Sequence, residues 1–226
     1  MSAFSEATAV AKVGDHYSAI LDPEWFIWGP FGGYLAALAM RAMGMHSAHR
    51  RPATFSCQYL NVGEAGPVDI EVVTRKSGWR ADCLSTRIMQ GGKALVEAQS
   101  WIVADGMTGL NHDDARMPEI KAARDLPPWD GFTNDEERLP IWKYIERRPE
   151  NRSQGPGHAP GKPEWFCWLR LSQSVPAGDF VLQAARAVLW MDLAPWNTVL
   201  VAHPWPTTHI APTLDLTVQF QSHLYA

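Results

Sequence analysis

Two apolar segments with helical spacing, one in each half of the chain, dominate the pattern of hydrophobic and polar positions. The first covers residues 32–40 and opens with two glycines. The second covers residues 184–191 and follows Asp179, a residue type that favours the N-cap of a helix. The pattern predicts one buried helix in each half, and the second helix is expected to end at Asp192.

Alternation of apolar and polar residues predicts an antiparallel sheet around the first helix, for which Gly44 is the expected end. One strand is predicted within residues 10–20. Turns that contain glycine or proline separate four later strands, predicted at 54–62, 68–76, 80–90 and 93–104. In the first of these four, Phe55, Cys57 and Tyr59 share one face, as a half-buried strand requires.

The second half repeats part of this order. A buried strand is predicted at 165–171, and a last strand at 213–220 follows a loop at 193–212. Residues 106–162 are rich in proline, glycine and charge, which is typical of a connection, with one short helix expected near 142–147. The sequence therefore predicts an α+β protein in three parts, at 1–105, 106–162 and 163–226.

Charge and composition exclude several classes of function. A net charge of -4 gives no electrostatic reason to expect nucleic acid or an anionic membrane as a partner. No run approaches the roughly 18 apolar residues of a membrane span, and the N-terminus lacks the pattern of a secretory signal. Three widely spaced cysteines, an odd number, favour reduced thiols. The chain is expected to be cytoplasmic.

A small basic cluster is the densest positive charge in the sequence. It is interpreted as a solvated helix end, and a phosphate-binding role is the alternative. Its members are Arg41, His49, Arg50 and Arg51.

Common catalytic patterns are absent from the sequence. The chain has no G-x-S-x-G, C-x-x-C or H-E-x-x-H motif, and its histidines do not match a known metal-site spacing, so neither a metal nor a cofactor is predicted. Asp192, at the end of an apolar run, is a candidate base, with a solvated helix-end aspartate as the alternative. Gly32 and Gly33 are candidates for binding an oxygen that gains negative charge, through their backbone amides, or else for close helix packing.

The segments 191–195 and 212–220 resemble the acyl-CoA thioesterase II family, in which a helix ends in Asp and a Thr opens a later strand. The predicted order of elements also resembles a double hotdog fold, in which a helix wrapped by an antiparallel sheet occurs twice in one chain. The resemblance implies hydrolysis of fatty acyl-CoA, with Asp192 and Thr213 as two members of an Asp/Thr/Gln set that activates water. Asp215 is interpreted as structural.

The strand that carries the glutamine in this family has no counterpart before Ala226, and Gln219 and Gln221 lie on the wrong strand. The second unit is therefore expected to be truncated, with little activity, and to associate into a homo-oligomer that covers its open edge. A non-catalytic protein that binds acyl-CoA or acyl chains is the alternative function. A hotdog hydratase is less favoured, because no Asp/His pair opens either helix.

Overall fold

A computed structural model describes residues 3–110, 112–129, 139–153, 155 and 157–221. Short 3-10 helices occur at Pro23–Trp25, Ala123–Asp125 and Pro140–Lys143. The helices and strands, in chain order, are α1 (Phe4–Ala7), β1 (Ala11–Val13), β2 (His16–Leu21), α2 (Gly32–His46), β3 (Arg51–Tyr59), β4 (Gly66–Ser77), β5 (Ala81–Gln90), β6 (Lys93–Val103), β7 (Ile145–Pro149), β8 (Cys167–Leu171), α3 (Phe180–Val201) and β9 (Asp215–Gln219).

Helix α2 packs against a seven-stranded antiparallel sheet in the order β1-β2-β4-β5-β6-β3-β9. The four strands predicted after the helix are confirmed as β3 to β6, with bounds shifted by up to three residues. Phe55 and Cys57 are buried, whereas Ser56 between them is only half-buried, as the alternation predicts. The face of the sheet toward α2 therefore forms the main core.

Helix α2 is buried along most of its length, and it does not end at Gly44. It continues to His46, and Ser47 is its C-cap. A Cβ at Gly44 would lie within 2.6 Å of Cγ2 of Val181. The role of this glycine is therefore to allow the close approach of helix α3, and it does not mark the end of α2. Helices α2 and α3 thus lie side by side in opposite directions and in close contact.

Helix α3 also runs further than the sequence pattern predicts. It passes through Asp192 and Pro195 to Val201, so the predicted end at Asp192 and the predicted loop over 193–201 are wrong. Proline fits helical φ, but it removes the hydrogen bond to the carbonyl four residues earlier and its ring presses on that carbonyl. Both Pro195 and Met191, whose carbonyl loses that bond, are exposed, so water can replace it.

Strand β9 joins the two halves of the protein. It pairs antiparallel with β3, with Cys57 opposite Leu216 and Phe55 opposite Val218. The strands that follow the two larger helices therefore meet side by side in one sheet. Leu216 and Val218 pack against the core. Among the described residues no strand pairs with the other edge of β9.

A separate two-stranded sheet, β7 with β8, lies between the two larger helices in sequence. Strand β7 occupies part of the segment 106–162 in which only a short helix was predicted, and that helix prediction is wrong. Pro140 begins a 3-10 turn, after which Ile145 and Arg147 alternate inward as in a strand. The strand predicted at 165–171 is confirmed as β8, but only Leu171 in it is buried, so the predicted burial is wrong.

The remaining predictions concern thiols and membrane spans. Cys57, Cys83 and Cys167 are free and lie in strands β3, β5 and β8. No helix in the described part of the chain has the length and hydropathy of a membrane crossing. Residues 111, 130–138, 154 and 156 of the predicted connection, and 222–226, lie outside the described residues.

Candidate active site

Asp192 lies on helix α3 beside the N-terminal end of α2. The backbone N–H of Gly33 donates a hydrogen bond to Oδ2 of Asp192 at 2.6 Å. The hydroxyl of Thr213, just before β9, donates to Oδ1 at 2.7 Å. Two segments that are distant from each other in sequence therefore place one hydrogen-bond donor on each oxygen of this carboxylate.

Gly32 and Gly33 allow α3 to approach the start of α2 closely, because neither has a side chain. A Cβ at Gly32 would lie 2.7 Å from Oδ2 of Asp192, and one at Gly33 would lie 2.9 Å from the Cα and carbonyl oxygen of Leu189. Close packing is thus one role of both glycines. Their amides differ, because that of Gly33 is bonded to Asp192, whereas that of Gly32 has no acceptor among the described residues.

The surroundings of Asp192 shift the pKa of its carboxyl upward from the ordinary value. The residue is half-buried, and burial raises the pKa of its carboxyl. Hydrogen bonds from Thr213 and Gly33 act in the opposite direction without cancelling the effect of burial. No basic side chain in the described ranges forms an ion pair with it. Asp192 lies within α3 and not at its C-terminal end, so the dipole of that helix is not the cause of the raised pKa.

Tyr59 belongs to the same cluster, although the sequence pattern gave it only a core position. Its backbone N–H donates to the carbonyl of Leu214 at 2.9 Å, which extends the β3–β9 pairing to the residue after Thr213. Its Cζ would lie 3.2 Å from a Cβ on Gly32. The Tyr59 hydroxyl is buried and has no hydrogen-bond partner in the described structure. It is thus a polar group beside Asp192 with unused bonding capacity.

Two residues weighed in the sequence lie elsewhere. Asp215 is exposed, opposite Gln58 in the β3–β9 register, and its side chain forms no hydrogen bond or ion pair with a described residue. Gln219 lies at the far end of β9, opposite Thr54, and does not approach Asp192. Neither hydrogen bond to Asp192 therefore comes from a glutamine.

The residues of the basic cluster have separate partners. Arg51 forms an ion pair with Asp105 and stacks on the Phe180 ring, with 4.1 Å between Cζ and the ring centroid. His49 lies 2.8 Å from the Gly78 carbonyl oxygen through Nε2. These contacts give no shared site for a phosphate group. The interpretation as a solvated helix end is wrong as well, because Arg41 lies within α2 and Arg51 begins β3.

The family is decided by sequence models that match both halves. The model of the acyl-CoA thioesterase N-terminal domain matches residues 21–103, and that of the C-terminal domain matches residues 118–224. The chain belongs to the acyl-CoA thioesterase II-like family. No curated protein matches it significantly. Family membership supports thioester hydrolysis as the general reaction.

Solved structures confirm the double hotdog fold of this family member. A hot dog fold protein of unknown function from Alicyclobacillus acidocaldarius is 21% identical, with a TM-score of 0.79 over 97% of this chain and 78% of its own. A putative thioesterase II from Thermobifida fusca is 20% identical, with a TM-score of 0.79 over 98% and 82%. The tesB protein of Mycobacterium avium subs paratuberculosis is 21% identical, with a TM-score of 0.75 over 96% and 79%.

Proposed function

We propose that this protein hydrolyses fatty acyl-CoA thioesters to free acid and coenzyme A, with Asp192 as the general base. The observation that carries the proposal is the half-buried Asp192 carboxylate, held at both oxygens by Gly33 and Thr213. A base must be oriented and must bind a proton readily. The two hydrogen bonds provide the orientation, and burial raises the pKa of Asp192 and therefore its basicity.

In the proposed reaction, a water molecule binds between Asp192 and Thr213. Each carboxylate oxygen has a lone pair beyond the one already used, and the Thr213 oxygen can accept while its proton is donated to Asp192. As the water oxygen attacks the carbonyl carbon, one water proton passes to Asp192. The new C–O bond forms, the C–S bond then breaks, and the proton returns to the departing thiolate, which leaves as coenzyme A.

The Gly32 amide is the proposed donor to the thioester oxygen, which gains negative charge during the attack. It is at the N-terminal end of α2, where backbone N–H groups and the helix dipole favour an anion. Of the two predicted glycine amides it is the one left without an acceptor in the described structure. Gly33 instead positions the base.

The open edge of β9 supports a homo-oligomer as part of the proposal. Unpaired strand edges recruit another chain, and β9 has no second partner strand within the described residues. Light scattering of the purified chain tests this, and a monodisperse monomer would contradict it.

Asp192→Asn tests the proposed base, because the amide is nearly isosteric and cannot take the proton. We expect kcat for thiol release from a medium-chain acyl-CoA to fall by about 10³-fold, with acyl-CoA binding retained. Asp215→Asn is the matched control and is expected to keep normal activity. Equal losses in both variants, or normal activity in Asp192→Asn, would contradict the assignment. A wild-type protein that binds acyl-CoA without releasing thiol would instead be a binding protein.

A further inference from the structure

Tyr59 places a hydroxyl where the proposed reaction needs a hydrogen-bond donor. Its ring carbon Cζ and Oδ2 of Asp192 both lie close to the position that a Gly32 side chain would occupy, at 3.2 and 2.7 Å from it. The phenol, the base and the free amide of Gly32 therefore share one small volume. The Tyr59 backbone is fixed there by its hydrogen bond to Leu214.

The bonding of this hydroxyl is incomplete within the described structure. Its oxygen is shielded from solvent and has no partner with hydrogen-bond geometry among the described residues, although a buried polar group that remains unpaired is costly. The neighbouring Cys57 thiol is only a weak acceptor and does not replace such a partner. The neighbouring Gly32 amide also has no acceptor among the described residues. Two adjacent donors without an acceptor fit a ligand that brings an oxygen, and a thioester carbonyl is such a ligand.

We propose that the Tyr59 hydroxyl donates a hydrogen bond to the carbonyl oxygen of the bound thioester, beside the Gly32 amide. This inference rests on the proposed thioester hydrolysis. The hydroxyl is a donor over the whole working range of pH, because burial and then the nearby Cys57 and Asp192 raise the pKa of Tyr59. Tyr59 as a residue is only half-buried, so a small rotation of the ring on substrate binding suffices to present the hydroxyl.

Tyr59→Phe removes the hydroxyl and keeps the ring, and it separates this role from simple packing. A donor to the developing oxyanion predicts a fall in kcat of about 10²-fold with little change in KM. The melting temperature should stay equal or rise, because the removed oxygen is unpaired in the free protein. A kcat within about threefold of wild type would overturn the proposal, since such a change is below that of a donor to the oxyanion.

Tyr17→Phe is the matched control at the other end of α2. Its hydroxyl lies 3.3 Å from Nδ1 of His46, far from Asp192, so this variant also loses one phenol oxygen. Tyr17→Phe should keep kcat and lose some stability, the reverse of Tyr59→Phe. An equal loss of kcat in both variants would overturn the specific role of Tyr59.

Binding of two non-hydrolysable analogues tests Tyr59 without turnover. One is a ketone in which a methylene replaces the thioester sulfur, and the other is a thioether that lacks the carbonyl. Tyr59→Phe should weaken binding of the ketone by about tenfold and leave the thioether unaffected. If wild type releases no thiol from any acyl-CoA, the proposed reaction is wrong. The binding comparison still tests whether the Tyr59 hydroxyl donates to a bound carbonyl. Equal affinities of wild type and Tyr59→Phe for the ketone would overturn its role as a carbonyl donor.

Discussion

The two ends of helix α2 each contact a carboxylate that is wholly or partly buried. The pKa values of these two carboxylates are shifted in opposite directions. At the C-terminal end, Asp82 of β5 is 3% exposed and accepts hydrogen bonds from Ser47, Ser77 and the amide of Ala48. At the N-terminal end, Asp192 is half-buried and accepts two. Burial alone raises the pKa of both, but at Asp82 the hydrogen bonds and His49 outweigh burial and the pKa is lowered.

The difference shows how bonding, rather than burial, separates a structural carboxylate from a candidate base. Asp82 is stable as an anion, because three donors replace the water that it loses. Asp192 is less stable as an anion in the folded protein than in the unfolded chain, and this makes it a better proton acceptor. Folding is thus assisted by the first charge and opposed by the second.

Asp82→Ala should have the largest effect on stability. It removes the shared acceptor of the Ser47 and Ser77 hydroxyls and the Ala48 amide from a buried position, at a cost of about 3 kcal/mol in the free energy of unfolding. The kcat of the folded fraction should not change. Because the folded-state pKa of Asp82 is lowered, its stabilisation is present near neutral pH and is lost as pH falls through that pKa, so the gap to wild type should narrow in acid. Chemical denaturation at several pH values measures this.

Asp69→Ala is the control for that prediction. Its side chain is 72% exposed, beside His16, so the free energy of unfolding should change by about 0.5 kcal/mol or less. A loss at Asp82→Ala no larger than at Asp69→Ala would show that the Asp82 hydrogen bonds contribute little.

Gly33→Ala and Gly44→Ala make the same change at the two ends of α2. Both should lower the free energy of unfolding by about 2 kcal/mol, because the new methyl group meets Leu189 backbone or the Val181 side chain. Only Gly33→Ala should also lower kcat, since it pushes α3, and Asp192 with it, away from α2. Denaturation and steady-state rates on the two variants measure this. Equal kcat values would mean that the Gly33 contact does not position the base.

Thr213→Val should have the smallest effect. Thr213 is exposed, so stability should change little, but kcat should fall about tenfold through loss of one hydrogen bond to a charged group. That bond lowers the pKa of Asp192, so without it the rise of kcat/KM with pH should move to higher pH. Thr213→Ser keeps the hydroxyl and should restore both values. A serine variant as slow as the valine variant would exclude the hydroxyl as the cause.

Most of the fold could be predicted from the sequence, where local pattern and burial agree. The alternation around Phe55 and Cys57 gave β3 and its neighbours because one face of that sheet is buried. Strand β7 was missed because it is short, charged and flanked by proline, and its register depends on β8, eighteen residues later. The continuation of α3 past Asp192 was missed because Pro195 is normally a helix breaker, yet it lies at an exposed position where water can bond the freed carbonyl.

The site was predictable only in part. The family resemblance and the sequence pattern selected Asp192, Thr213, Gly32 and Gly33. Their contacts could not be predicted, because they span up to 159 residues of sequence and depend on how α2 and α3 pack against each other. No sequence pattern indicates that the Gly33 amide bonds Asp192 while the Gly32 amide is left without an acceptor among the described residues. Tyr59 was not identified from the sequence, because it fits the apolar alternation of β3 and a tyrosine on a core face usually serves packing.

Carbon NMR titration of the aspartate carboxyl groups, run beside the pH dependence of kcat/KM, tests the central claim most directly. As acid is added, Asp192 should be protonated before Asp82, with a midpoint above the value of about 3.9 for an unperturbed aspartate. The decline of kcat/KM should share that midpoint, because the base works only when ionised. An Asp192 that titrates together with Asp82 or after it, or a kcat/KM that does not follow the Asp192 midpoint, would contradict the assignment of Asp192 as the base.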